Sequence, residues 1–345
     1  MNLKEKSKIT RILIVSYGSI GKRHLGIARK IYPNSNIKIL RSLLSKDVPQ
    51  KSNGIFNSVD EAIFFQPDIA IIANPATHHI DIAQKLAENG VNILIEKPIS
   101  SSSHGVKLLI KTMKKNNLTL LVGYNLRFSE SLEFYKEQLE KGMIGKVLSV
   151  RCEAGQYLPS WRPDSKYKDS VSARSELGGG VLLELSHELD SFRWIFGEIQ
   201  WVKSSLSRQS SLDINVEDCA HIILGFEPVS DGSQIIGSIN LDFIRHDTTR
   251  TYTAIGEKGS LKWDAITGEV MLYKSEANEW AELVKIRPSS DETYIAEWKN
   301  FIDSIQGGAK PKVTGEDGLK VLNAIDAIRK SSENNTKEFV IESSA

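Results

Sequence analysis

The chain has 345 residues, 40% of them apolar and 25% charged, and a formal net charge of +1. That length suits two domains of ordinary size, and the balanced charge, with basic residues dispersed, argues against nucleic acid or an anionic membrane as partner. The two cysteines, Cys152 and Cys219, stand in no metal-binding or redox spacing, so no metal site is expected and a reducing compartment fits better than a disulfide scaffold. The first ten residues are polar and the longest apolar runs, such as Ile69–Ala73, are strand-sized. A soluble, cytoplasmic protein without a membrane span is therefore expected.

In chain order, Ile12–Val15 reads as a strand, followed by a helix over Ile20–Ile31 and a second strand at Ile37–Leu40. Ser58-Val59-Asp60-Glu61 is a capping box that opens a short helix. Ile69–Ala73 is a third strand, after which Thr77 is placed to cap a helix that Gly90 ends. Val91–Ile95, a helix from about Ser103 to Asn116, and Leu118–Val122 complete the series. Strands and helices alternating over short links predict βαβ units around a parallel sheet. Strands apolar at every position predict cover on both faces.

Past Gly123 the pattern changes. A helix over Ser129–Lys141 leads to a strand at Val147–Glu153, a long loop over Gly155–Gly180, and a helix over about Leu182–Phe196. Strand-like segments then follow one another at Trp201–Ser207, Cys219–Phe226, Gln234–Phe243, Thr251–Ile255 and Val270–Tyr273, and helical patterns close the chain at Glu292–Ile305 and Glu316–Ser332. Consecutive strands imply a largely antiparallel sheet. The expected fold class is α/β, an N-terminal Rossmann domain (1–123) plus a C-terminal α+β domain (124–345) with a large, mostly antiparallel open sheet. The closing helices are free to pack back on the first domain.

The first strand runs into Ser16-Tyr17-Gly18-Ser19-Ile20-Gly21, the G-x-G-x-x-G dinucleotide pattern with serine in place of its first glycine. Gly18 would let backbone approach a pyrophosphate, Gly21 would allow close helix–strand packing, and the helix N-terminus offers N–H groups to an anion. An ordinary strand-to-helix turn and a methyl-donor nucleotide site use similar loops. NAD sites usually carry an acidic residue at the end of the second strand, about twenty residues on. Here that place holds Arg41 and Ser42, a pair suited to a 2′-phosphate, so NADP is expected ahead of NAD.

Two further stretches, Ala73-Asn74-Pro75-Ala76-Thr77-His78-His79 and Ile95-Glu96-Lys97-Pro98, each follow a predicted strand at the ligand-binding edge of the sheet. Together with the Ser16–Gly21 loop and His24, they make the chain resemble the Gfo/Idh/MocA family (glucose–fructose oxidoreductase, inositol dehydrogenase and relatives) over nearly its whole length. The resemblance implies that Lys97 is the catalytic lysine, that the Lys97–Pro98 bond is cis, and that Asn74, Pro75, His78 and Glu96 line the cofactor. An ammonium beside a reacting oxygen stabilises developing alkoxide and relays its proton.

In the second domain, Gly178-Gly179-Gly180 leads to Glu184, His187 and Asp190, spaced by three on one expected helix face. A histidine there suits acid–base work, and the glycine run suits close passage of backbone past a ligand. In the family a glycine run leads to Asp-x-x-x-His with a later Asp. His187 matches that histidine and Asp190 the later aspartate, whereas Leu183 or Glu184 takes the first aspartate's place depending on the alignment. Asp190 is either functional or paired with an arginine. Tyr124 and Asn125, in the segment that resembles the family's domain joint, and Arg162, in the aromatic loop around Tyr157–Pro163, are candidate substrate contacts, as are Lys97, Glu184 and His187.

The resulting expectation is an NAD(P)-dependent oxidoreductase acting on a sugar, polyol or sugar derivative. A cofactor-retaining enzyme with no net redox change, and a non-catalytic sensor of NAD(P), are the alternatives. The open sheet face predicts a homodimer or homotetramer.

Overall fold

Residues 9–41, 48–161, 163, 166–229, 231–287, 289 and 291–341 are described by a computed structural model. Six strands, β1 (Arg11–Val15), β2 (Asn36–Leu40), β3 (Ile55–Phe56), β4 (Ile69–Ile72), β5 (Asn92–Glu96) and β6 (Leu120–Gly123), form a sheet ordered β3-β2-β1-β4-β5-β6. Every pairing in it is parallel. Ile12, Leu13 and Ile14 of β1 and all of β4 have no exposed surface, as two-sided cover requires. Each such side chain contributes roughly 1.5–3 kcal/mol on leaving water. Strand order reverses between β1 and β4, so the carboxyl ends of these two strands flank the switch point where open α/β sheets bind ligands.

The helices beside this sheet are α1 (Ser19–Ile31), α2 (Val59–Phe64), α3 (His79–Glu88) and α4 (Val106–Lys115). α2 opens on the expected capping box: Ser58 Oγ accepts from Glu61 N at 3.2 Å, and the Glu61 carboxylate accepts from Ser58 N at 3.3 Å. Gly90, at φ +79°, ends α3. Thr77 does not cap α3. It lies inside a 3-10 turn over Ala76–His78, closed by His78 N donating to Pro75 O at 2.9 Å, and the helix starts at His79, one residue later than a Thr77 cap implies. α4 likewise starts at Val106, because Gly105 takes a left-handed conformation just before it.

The second sheet has nine strands. They follow α5 (Glu130–Glu140): β7 (Val147–Gly155), then, beyond α6 (Val181–Glu184) and α7 (His187–Phe196), β8 (Ile199–Ser207), β9 (Cys219–Phe226), β10 (Ile236–Asp242), β11 (Thr249–Gly256), β12 (Gly259–Asp264), β13 (Glu269–Lys274), β14 (Glu279–Lys285) and β15 (Glu338–Phe339). Their order is β14-β13-β12-β11-β7-β10-β9-β8-β15, antiparallel except for the β7–β10 pair. Burial alternates along the strands, with Val150, Cys152 and Ala154 inside and Arg151 and Glu153 outside on β7, so one face is covered and the other is bare. Helices α8 (Glu292–Ile305) and α9 (Gly315–Asn334) complete the chain.

The chain divides into two compact units, 1–124 with 294–319, and 125–293 with 320–344. The single helix expected over Leu182–Phe196 is interrupted. Ser186 N bonds Leu183 O and Glu188 N bonds Leu185 O, and these three-residue closures tighten the chain between α6 and α7. Among the described residues no helix is long and apolar enough to cross a membrane.

Candidate functional site

β1 turns into α1 through Ser16-Tyr17-Gly18. Ser16 holds φ +80°, a conformation that glycine adopts freely and that costs another residue on the order of 1–3 kcal/mol. Its N–H donates to Leu40 O at 2.8 Å, fastening the turn to the end of β2. A Cβ on Gly21 would sit 2.4 Å from the Ser16 carbonyl oxygen, so helix and turn approach only because residue 21 is glycine. At Gly18 a Cβ would meet nothing within 4 Å, and the space before α1 is open. α1, which begins at Ser19 and Ile20, has no side-chain cap and no acidic residue in its first turn. Its first N–H groups and positive dipole end are therefore available to an anion.

A cleft of about 570 Å³ opens here, with Ser16, Tyr17, Gly18, Arg41, Asn74 and Pro75 in its lining and no acidic residue there among the described residues. Asn74 Oδ1 is buried with no hydrogen-bond partner among the described residues. Leaving a buried acceptor unmet costs about 1–3 kcal/mol, which a donor on a bound ligand removes. The orphaned acceptor and the uncapped helix end fit a dinucleotide. The Arg41 guanidinium stands 5.4 Å and the Lys22 ammonium 5.3 Å from the centre of the Tyr17 ring, so two cations flank one ring at the end of β2. Ser42 lies outside the described residues.

The turn after β5 carries Lys97, half-buried, and the Lys97–Pro98 bond is cis, as the resemblance implies. Buried Glu96 supports that turn: its Oε2 accepts the Lys97 backbone N–H at 3.2 Å and its Oε1 lies 2.8 Å from His24 Nε2. Trp298 Nε1 donates to His24 Nδ1 at 2.9 Å. An indole can only donate, so Nδ1 is bare and the imidazole proton sits on Nε2, facing the carboxylate. His79, not His78, links the two motif turns. His79 is buried, with Nε2 2.7 Å from Asn74 O and Nδ1 3.1 Å from Pro98 O. Burial pushes its pKa down despite both carbonyls, which favours the neutral ring. His78, expected at the cofactor, is exposed and outside the cleft lining. The signal was available in the helical spacing, since His79, Ala83 and Leu86 are buried along one face of α3.

In the second unit every residue from Val181 to Arg193 is buried except Glu184 and His187. These two candidates are half-exposed although the interruption between α6 and α7 removes the shared regular helix. Two glycines of the run, Gly179 and Gly180, are packed closely against the chain's own atoms. A Cβ on Gly179 would lie 2.3 Å from Val171 O, and one on Gly180 2.4 Å from a Glu217 carboxylate oxygen. Asp190 is paired structurally. Its Oδ2 and Oδ1 accept from Arg127 Nε and Nη2 at 2.8 and 2.7 Å, with both side chains buried. Glu188 pairs with Arg250 at 2.7 Å, and Arg193 binds Glu198 through two bonds of 2.8 and 2.9 Å.

The remaining substrate candidates fare differently. Tyr124 is wholly buried, which does not support substrate contact, and Asn125 Nδ2 donates to Thr293 Oγ1 at 2.9 Å. Arg162 lies outside the described residues. The rings of its loop are engaged: Tyr157 stacks on His246 with centroids 4.2 Å apart, and Trp161 meets Phe243 edge-on at 5.1 Å.

Residues 10–124 match the family described as "Oxidoreductase family, NAD-binding Rossmann fold" (GFO_IDH_MocA), and residues 136–340 match its "C-terminal alpha/beta domain". Levoglucosan dehydrogenase of Pseudarthrobacter phenanthrenivorans is 32% identical over 160 residues, 45% of this chain and only 40% of that enzyme's length. Myo-inositol 2-dehydrogenase of Thermotoga maritima is 25% identical over 273 residues, 77% of this chain and 78% of that one. A solved structure of levoglucosan dehydrogenase in complex with NADH superposes with a TM-score of 0.83 at 21% identity, covering 97% of this chain and all of that one, and so shares the fold.

Proposed function

Because the chain belongs to the Gfo/Idh/MocA family of oxidoreductases, we propose that it transfers a hydride between NADP, in preference to NAD, and a hydroxyl- or carbonyl-bearing carbon of a sugar or polyol. The observation that carries the reading is the uncapped, open N-terminus of α1 on the same edge of one parallel sheet as the Lys97 turn. The cofactor, when bound, supplies the hydride-exchanging carbon. Ser16, Gly18, Ser19, Ile20, Gly21, Asn74 and Pro75 would hold it, with Arg41 and Ser42 toward a 2′-phosphate. The approach of Arg41 and Lys22 to the Tyr17 ring, beside a cleft with no acidic lining among the described residues, supports that preference.

Lys97 presents an ammonium that stabilises negative charge developing on the substrate oxygen. From the second unit, half-exposed His187 is the candidate acid–base group, with half-exposed Glu184 three residues before it. The relatives named above, a levoglucosan and an inositol dehydrogenase, support a sugar or polyol as substrate. The bare face of the nine-stranded sheet supports a homodimer or homotetramer.

Titration with NADPH and NADH, read by energy transfer from the tryptophans, tests the cofactor assignment. NADPH is expected to bind more tightly, and Arg41→Ala to remove at least about tenfold of that advantage, the value of one charge-assisted contact. Preference for NADH would remove the 2′-phosphate role of Arg41, and binding of neither would remove the dinucleotide reading.

A further inference from the structure

Glu297, on α8, is wholly buried, and neither of its carboxyl oxygens has a hydrogen-bond partner among the described residues. An isolated carboxylate withdrawn from water is so costly that such a group takes up a proton instead. The groups around it offer little relief. From β5, Glu96 repels it. From α1, His24 has its Nε2 proton directed to Glu96 and its Nδ1 occupied by the Trp298 indole, next in sequence to Glu297. Arg23, also on α1, has its guanidinium over the ring of Tyr294 at 4.7 Å. Tyr294, one turn before Glu297, is half-buried, and its withdrawal from water, with repulsion from Glu96 second, pushes its phenol above the usual range.

The two carboxyls are thus unequal. Glu96 accepts two hydrogen bonds, from His24 and from the Lys97 amide, and Glu297 accepts none. Accepted bonds favour the ionised form, which sets the two groups apart. Burial, with repulsion from Glu96 second, pushes Glu297 well above the ordinary carboxylate range.

We propose that Glu96 and Glu297 hold one proton between them at neutral pH, that it resides on Glu297, and that Glu297 thereby acts as a positioning residue for Lys97. Neutral Glu297 leaves the Glu96 carboxylate in place on His24 and on the Lys97 backbone. Ionised Glu297 would repel Glu96 and loosen the turn. The positioning role rests on the assignment of Lys97 above, whereas the shared proton does not.

The test uses the full chain and Glu297→Gln, whose amide matches the protonated acid in size and charge. A carboxyl whose pKa is raised on folding contributes stability that is complete below the unfolded value and is lost as pH rises toward the folded one. Wild type is therefore expected to lose stability relative to Glu297→Gln as pH rises from mildly acidic to alkaline, with a slope difference approaching about one proton per chain. The infrared carbonyl band of a protonated carboxyl is expected in wild type above the ordinary carboxylate range and absent from the variant. Parallel pH–stability curves with no band lost would overturn the proposal. Should the variant fail to fold, a missing protonated-carboxyl band at neutral pH in wild type overturns the proposal, and a band that persists in Glu217→Gln, whose native carboxyl burial also raises, sustains it. For positioning, Glu297→Gln is expected to move the alkaline limb of kcat with little change in KM, and an unmoved limb contradicts that role. Lys97→Ala is expected to keep the band, so failure of the Lys97 assignment, seen as undiminished turnover in that variant, is separable from failure of the carboxyl pair.

Discussion

The two units secure their candidate catalytic residues by different electrostatics. In the first, the Lys97 turn rests on one buried carboxylate, Glu96, held by neutral donors in a chain from Trp298 through His24. In the second, α7, which starts at His187, is fastened by three carboxylate–arginine pairs at Glu188, Asp190 and Arg193. Matched charges hold a helix by pairing each buried carboxylate with a guanidinium. A single buried charge among neutral donors is weaker and stays sensitive to whatever titrates nearby, here Glu297. The comparison teaches that rigidity and proton responsiveness are assigned to different units.

The larger break is expected on the ion-pair side. Arg127→Ala leaves Asp190 as an uncompensated buried charge and should lower stability by about 3–5 kcal/mol, read by denaturant unfolding. Adding Asp190→Leu should recover much of that loss, and no recovery would mean that Arg127 acts through packing. On the hydrogen-bonding side, Trp298→Phe removes the donor to His24 Nδ1 together with part of a buried ring, and the hydrogen bond accounts for about 1–3 kcal/mol of the cost. A loss in Trp298→Phe as large as that in Arg127→Ala would erase the contrast between the units.

Much of the first unit was legible because stretches such as Ile12–Val15 and Ile69–Ile72 are apolar throughout and the turns after them carry their own punctuation. The Ser16–Gly21 loop and the Lys97 turn are local motifs, readable from contiguous residues, and the capping box at Ser58 and Glu61 is equally local. Strands β3, β12, β14 and β15 passed unread, β3 and β15 because each has only two residues. β12 follows β11 across only two residues, and β14 is a mostly exposed strand at the sheet edge whose glutamates and lysine mask its β pattern. The supports of the site were illegible for another reason. His24 and Glu96 are 72 residues apart, Arg127 and Asp190 63, and His24 and Trp298 274, so these pairings exist only once the sheets have formed. Ser16 shows the converse case. The motif flags it as a misfit for a tight turn, and the turn forms regardless, with the serine held at a positive φ.

The most direct measurement of the central claim is hydride transfer itself, followed by the absorbance of reduced nicotinamide when wild type and Lys97→Ala are given NADP or NAD with a panel of sugars and polyols. The account predicts turnover by wild type on at least one of them and a fall in kcat of about 100–1000-fold in Lys97→Ala, the loss typical of one charge-stabilising donor. Wild-type turnover in Lys97→Ala would contradict it.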